Sequence, residues 1–354
     1  GGLAAIFYIA RKIFTHKKEL SLGKKLEKDE ISNREIFKKI CSYAIPFVII
    51  NLTVNIYNTV DMSLIIRTLS AIGYSGADAE FVAGVITTWG YKLNMIVTAV
   101  ATGLTVSLIP NIVSAYTLKK YDKVNKIFNK ALQIILFVSI PAAFGLSFLA
   151  YPVWNVFYGI DAYGPIVFKL SIITAIFCNF YLITIQTAQS VNKYKVVYIA
   201  VITGFITNAL LDVPLMLLCN KIGLPPYYGA SFATILGYTI AIVIVLGSLK
   251  KIDGIDYKST WKMLFKTVVA LVAMLVVLSL LKIVYPFHTA TKMLSIIDIA
   301  IYALVGAVVY LFIMYKMGII QDLFGQKIVD RVLKIITFGK YKGKGKYDDT
   351  EEDR

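Results

Sequence analysis

Eight long apolar stretches decide what this chain can become. They lie at about 41–68, 82–115, 128–150, 165–189, 196–219, 228–249, 262–283 and 294–315. A run of about 20 residues crosses about 30 Å of hydrocarbon at a rise of about 1.5 Å per residue. Inside lipid the backbone must satisfy its own hydrogen bonds, so such runs are helices. A closed β-barrel would need short alternating segments, and residues 268–281 do not alternate. The predicted class is an all-α integral membrane protein with about eight complete transmembrane helices. Composition agrees, since only 16% of the residues are charged against about 25% in soluble domains.

A net charge of +16 would suggest nucleic acid in a soluble protein. Here its placement matters more. Sorting the loops alternately puts 31 of the 37 Lys and Arg residues on one side. The other side holds Arg67, Lys169, Lys221, Lys282 and Lys292, and Lys92 lies inside a span. That asymmetry makes the basic side, with the C-terminus, cytoplasmic. No nucleic-acid partner is expected.

The chemistry of enzymes is missing from the motifs. Cys41, Cys178 and Cys219 stand singly, with no CxxC spacing for a zinc site or a disulfide framework. His16 and His288 read as solvated surface residues. No phosphate loop, HExxH or GxSxG pattern occurs. No metal, no cofactor and no enzymatic activity are expected.

Residues 1–14 read as the end of a truncated transmembrane helix, and 15–40 as a cytoplasmic basic linker. Apolar residues Leu22, Leu26, Ile36, Phe37 and Ile40 would suit either a helix against the bilayer or a solvated one. Residues 41–249 form a six-helix lobe with short loops. A cytoplasmic loop at 250–261 leads to two additional helices at 262–315. Residues 316–354 are read as a cytoplasmic amphipathic helix and a charged tail, whose lysines at 340–346 would favour an anionic leaflet.

Polar residues inside the spans carry the functional information, because each costs about 2.5–3.5 kcal/mol at the bilayer centre when ionised. Asn51, Asn55, Asn58 and Asp61 fall within an arc of about 120° on one helix, a stripe that lipid would not tolerate. Asp61 lies about 10 Å and Lys92 about 15 Å from the outer surface on sequential antiparallel helices. They could form an ion pair. Alternatively they line a cavity, with Lys92 meeting an anionic substrate or Asp61 a coupling cation. Asn208 and Asp212, spaced i, i+4 just before Pro214, could cap a kink or form an ion site of their own. Asp298 is expected to reach the outer interface. Asn179, Gln186 and Gln189 are expected to hydrogen-bond between helices. Pro46, Pro110, Pro141 and Pro214 within spans suit a bundle that bends.

The motifs share an order with one family. Residues 99–116 read AVATGLTVSLIPNIVSAY, 125–145 NKIFNKALQIILFVSIPAAFG and 152–159 PVWNVFYG. With YNTVD at 57–61 and GASFAT at 229–234, they resemble the multidrug/oligosaccharidyl-lipid/polysaccharide flippase superfamily. The resemblance is closest to the stage V sporulation protein B and MurJ-like lipid II flippases of bacteria.

It implies two six-helix lobes related by a pseudo-two-fold, of which this chain would supply the second, followed by two extra helices. A missing N-terminal lobe would then be a partner, and it would carry most of the diphosphate-gripping residues, leaving Lys92 as the candidate here. The implied activity is transport of undecaprenyl-diphosphate-linked sugars, lipid II or a polysaccharide precursor, across the bacterial cytoplasmic membrane by alternating access. A cation-coupled exporter of small molecules and a non-transporting membrane scaffold are the competing readings.

Overall fold

The computed structural model describes the backbone of residues 32–336, together with positions 7, 8, 11, 12 and 15. The expectations for most of 1–31 and for the tail at 337–354 lie outside the described residues. By its contacts the chain separates into Gly1–Ile49 and Ile50–Arg354. In the first unit nearly all the described residues are helical. The helical bundle belongs to the second.

In chain order the helices are α1 (Asn33–Ala71), α2 (Gly76–Gly84), a π-turn (Val85–Trp89) and α3 (Gly90–Thr117). Then come α4 (Tyr121–Phe148), α5 (Ala150–Tyr158), α6 (Gly164–Ser190), α7 (Tyr194–Lys221) and α8 (Tyr227–Asp253). The last four are α9 (Lys258–Val284), α10 (Lys292–Lys316), α11 (Ile319–Phe324) and α12 (Gln326–Ile336). No strand occurs among the described residues. Seven helices there, counting Gly76–Thr117 as one, are long and apolar enough to cross a membrane. They coincide with the second to eighth predicted spans, and the first lies within α1. The chain is an all-α integral membrane protein.

Local chemistry sets several of the boundaries. Ser75 caps α2, its hydroxyl accepting from the Asp78 amide at 3.1 Å. Thr291 caps α10 in the same way, accepting from the Leu294 amide at 3.3 Å. Pro110, Pro141 and Pro214 do not break their helices, since α3, α4 and α7 each run through them. The predicted amphipathic helix after 316 is split. Gly318 and Gly325 adopt positive φ of 77° and 81°, a conformation only glycine takes without strain, and α11 turns between them. Ile319 and Leu323 of α11 join the core, whereas Ile328 and Ile335 of α12 stay exposed.

The core has two apolar clusters stacked along the helix axes. One takes Leu93 and Val97 of α3, Phe168 and Ile172 of α6, Met216 of α7 and Ala230 of α8. The other takes Ala101 and Ile112, Ile183 and Ala188, Val197 and Val201, and Ala241 and Val245 of the same helices. Each helix therefore passes from one greasy layer to the next. At the crossing it presents polar groups, namely Asn179 on α6, Asn208 and Asp212 on α7, and Ser231 and Thr234 on α8. Asn179 donates to the Val97 carbonyl at 3.0 Å and to the Ser139 hydroxyl at 2.7 Å, tying α6 to α3 and α4. That is the interhelical role expected of it.

Two features stand out at the end of the bundle where α9 meets α10. The short helix α5 packs on α6 and α10, with Asn155 donating to Ser295 Oγ and the Thr289 carbonyl, each at 2.9 Å. Asp298 does not reach the interface. It is fully buried and accepts from the His288 amide at 2.5 Å, with the imidazole Nδ1 3.3 Å from its other oxygen. His288 thus ties the α9–α10 loop down through its amide and ring, while its side chain stays 41% exposed, as expected of a surface residue.

Candidate functional site

The polar layer contains the site. Asp61 on α1 and Asn208 and Asp212 on α7 are all buried, at 5%, 0% and 0% exposure. The Asn208 amide nitrogen donates to Asp61 Oδ1. The Asp212 carboxyl, one turn on from Asn208, lies close enough to the Asp61 carboxyl for the two to interact. Asn208 Oδ1 and both Asp212 oxygens receive no hydrogen bond from the described residues. Two buried carboxyls close enough to interact cannot both stay ionised unaided in a low-dielectric interior. They share a proton or gather around a cation. A donor set made only of carboxylate and amide oxygens suits a proton or a hard cation, not a soft transition metal.

A polar cavity of about 50 Å³ opens beside Asp61. Its walls are built by repetition. Helix α3 contributes Tyr91, Asn94 and Thr98, α6 contributes Ser171, Thr174 and Cys178, and α8 contributes Ser231, Thr234 and Tyr238. Each triplet has the spacing i, i+3, i+7, which puts it on one helix face. Asn58 of α1 completes the rim. The volume is enough for a few water molecules among polar partners.

The π-turn forms the remaining wall through Ile86 and Thr87. Its wider backbone is closed by Gly90. A Cβ there would come within 2.6 Å of the Val85 carbonyl oxygen and 3.3 Å of Ser171 Oγ. A π-turn placed against a polar cavity is a common arrangement at working sites.

Of the predicted site residues, the structure brings Asn58, Asp61, Asn208 and Asp212 together. The side chains of Asn51 and Asn55 lie outside those described. Lys92 is exposed on α3, one position off the stripe that lines the cavity. No ion pair joins it to Asp61 among the described residues. Counting along the helices addresses depth but not azimuth, and Asp61 turns to α7. The triplets on α3, α6 and α8 were overlooked, although their shared spacing is visible in the sequence.

No family model matches the chain. Among curated proteins it is 29% identical over 311 residues to the Lipid II flippase MurJ of Bacillus subtilis (strain 168), covering 84% of this chain and 55% of that one. Among solved structures it resembles a Lipid II flippase MurJ in an inward closed conformation, with a TM-score of 0.59 and 19% identity. That match covers 84% of this chain and 57% of the other. The chain thus spans a little over half the length of the curated relative. In sequence and in fold it resembles the MurJ-like flippases of the multidrug/oligosaccharidyl-lipid/polysaccharide superfamily, as its motifs between residues 99 and 159 indicate.

Proposed function

We propose that this chain is the cation-binding half of a flippase that moves undecaprenyl-diphosphate-linked sugars, lipid II or a polysaccharide precursor, across the bacterial cytoplasmic membrane. The observation that carries this reading is the similarity to a lipid II flippase along 311 residues. The lipid tail stays in the bilayer while the headgroup crosses a hydrated path between two lobes that rock against each other. The companion lobe is the partner that completes that path. A proton or hard cation at Asp61, Asn208 and Asp212 couples α1 to α7 and biases the cycle. The same buried carboxyl pair also fits a cation-coupled exporter of small molecules, so the transported compound decides between the two.

Lys92 supplies the test. It is exposed and makes no ion pair among the described residues, so it is free to meet an anionic headgroup. The protein with its companion lobe, reconstituted in vesicles, is expected to expose labelled lipid II to an impermeant reagent. Lys92→Ala is expected to fold and express normally and to lose about tenfold or more of this rate, with Lys92→Arg keeping part of it because the charge remains. No exposure of lipid II by the wild-type protein would refute the flippase. Full activity of Lys92→Ala would remove that residue from the path.

The membrane orientation follows from the charge asymmetry and has its own check. Cysteines introduced at Ser75 and His288 should react with an impermeant thiol reagent in whole cells. One at Lys123 should react only after the membrane is opened. Labelling of position 123 before position 75 would invert the topology.

A further inference from the structure

A second polar cavity, of about 510 Å³, lies at the basic end of the bundle, and neither the flipping path nor the cation site uses it. It forms where α4 and α9 begin and α11 passes. Lys126 and Lys130 line it from α4, Lys258 and Lys262 from α9. Each pair is spaced i, i+4, so both lysines of a pair project from one helix face. Asp256 and Asp322 also border it, leaving an excess of two positive charges among these six groups. None of the four ammonium groups forms an ion pair among the described residues.

The walls are fixed by one buried amide. Asn129, 6% exposed, donates to the Asp256 carbonyl at 2.8 Å and to Asn125 Oδ1 at 2.6 Å, and its oxygen accepts from Thr260 Oγ1 at 2.7 Å. These bonds hold the 254–257 loop and the start of α9 against α4. The lysines therefore surround a preformed cradle.

Its level in the membrane is marked by α9. Trp261 and Phe265, one turn apart, are 68% and 73% exposed. An exposed Trp beside lysines at a helix end is the pattern of a residue seated among lipid headgroups. Lys258 and Lys262 flank that Trp in sequence, so the cavity opens at the headgroup layer and not into the aqueous phase alone.

The geometry points to a binding site for the phosphodiester headgroup of an anionic phospholipid, held by Lys126, Lys130, Lys258 and Lys262 and separate from the transported lipid. Four lysines with no ion pair among the described residues, gathered around a polar cavity, suit phosphate oxygens. An occupant there would bridge the six-helix part to the added pair of helices.

Native mass spectrometry of the protein released from vesicles of phosphatidylcholine and phosphatidylglycerol tests this. The wild type should retain phosphatidylglycerol in preference to phosphatidylcholine. Lys130→Gln with Lys262→Gln should lower that retention about tenfold. Lys119→Gln with Lys195→Gln, which changes the same charge outside the cavity, should leave it unchanged. Asp322→Asn should raise retention, a gain that misfolding could not produce. Equal losses in the two double variants would reduce the effect to general surface charge and overturn the proposal. So would displacement of the lipid by millimolar inorganic phosphate, which would identify a site for free anions.

Discussion

Asp212→Asn is expected to weaken cation binding by about two orders of magnitude while leaving the fold intact or more stable. The reason lies in what the substitution keeps. Asparagine has the shape of aspartate, and its amide can donate to the neighbouring Asp61 carboxyl, so the buried contact persists. What is lost is one of the two acidic groups proposed to gather a cation. A charged partner in a hydrogen-bonded site contributes about 1.5–3 kcal/mol, or about tenfold to more than a hundredfold in affinity. The unliganded protein, relieved of one acidic group, should melt at the same temperature or higher, since functional sites commonly hold such strain. The measurement is the rise in melting temperature on adding sodium, lithium or potassium and on lowering pH. Ligand that binds the folded state alone raises stability with concentration. The wild type should show the rise with one of these cations and Asp212→Asn should not. An undiminished shift in the variant would sink the assignment of the site.

The same pair of residues shows how far the sequence could be read. Asp61 and Asn208 are 147 positions apart, on helices that pattern alone places in the membrane without saying which touch. Hydropathy fixes where a helix enters and leaves the bilayer, because crossing needs about 20 apolar residues. Depth follows by counting. The direction in which a side chain points depends on helix rotation and neighbours, and those are set by packing. Hence counting can bring Asp61 and Lys92 to comparable depths without deciding between an ion pair and a cavity wall, and Asp61 meets Asn208 of α7.

The seven described spans were legible for the same reason, whereas α5, the π-turn and the break at Gly325 were not. The π-turn and the break at Gly325 are local backbone departures that hydropathy does not register, and α5 is apolar but, at nine residues, too short to read as a span. The cavity lay between these cases. Its three i, i+3, i+7 triplets are plain in the sequence, but serine and threonine in membrane helices commonly satisfy their own backbone instead. Thr234, for example, donates to the Ala230 carbonyl at 3.0 Å while also facing the cavity.

Gly229→Ala is expected to be the most damaging single-methyl change in the bundle. Helices α7 and α8 form its closest hairpin, and two glycines allow the approach. At Gly204 a Cβ would come within 2.8 Å of the Gly237 carbonyl oxygen. At Gly229 it would stand 2.2 Å from the Met216 nitrogen and 2.4 Å from the Leu215 carbonyl carbon. Both neighbours at Gly229 are backbone, so no rotamer change can make room. One helix must move. Overpacking a core typically costs about 1–3 kcal/mol, and a clash with backbone belongs at or above the top of that range. The displacement would also be felt at the site, because Gly229 holds α8 beside Leu215 and Met216, only one turn beyond Asp212. Ser231 and Thr234 would leave the cavity wall together with it. Gly306→Ala is the matched control, since its Cβ would meet only the Leu278 and Met274 side chains, at 3.4 Å or more. Detergent-solubilised Gly229→Ala should therefore give at least about tenfold less monodisperse protein, with Gly306→Ala close to wild type. Equal yields from the two variants would mean that the α7–α8 hairpin is looser than its glycines require.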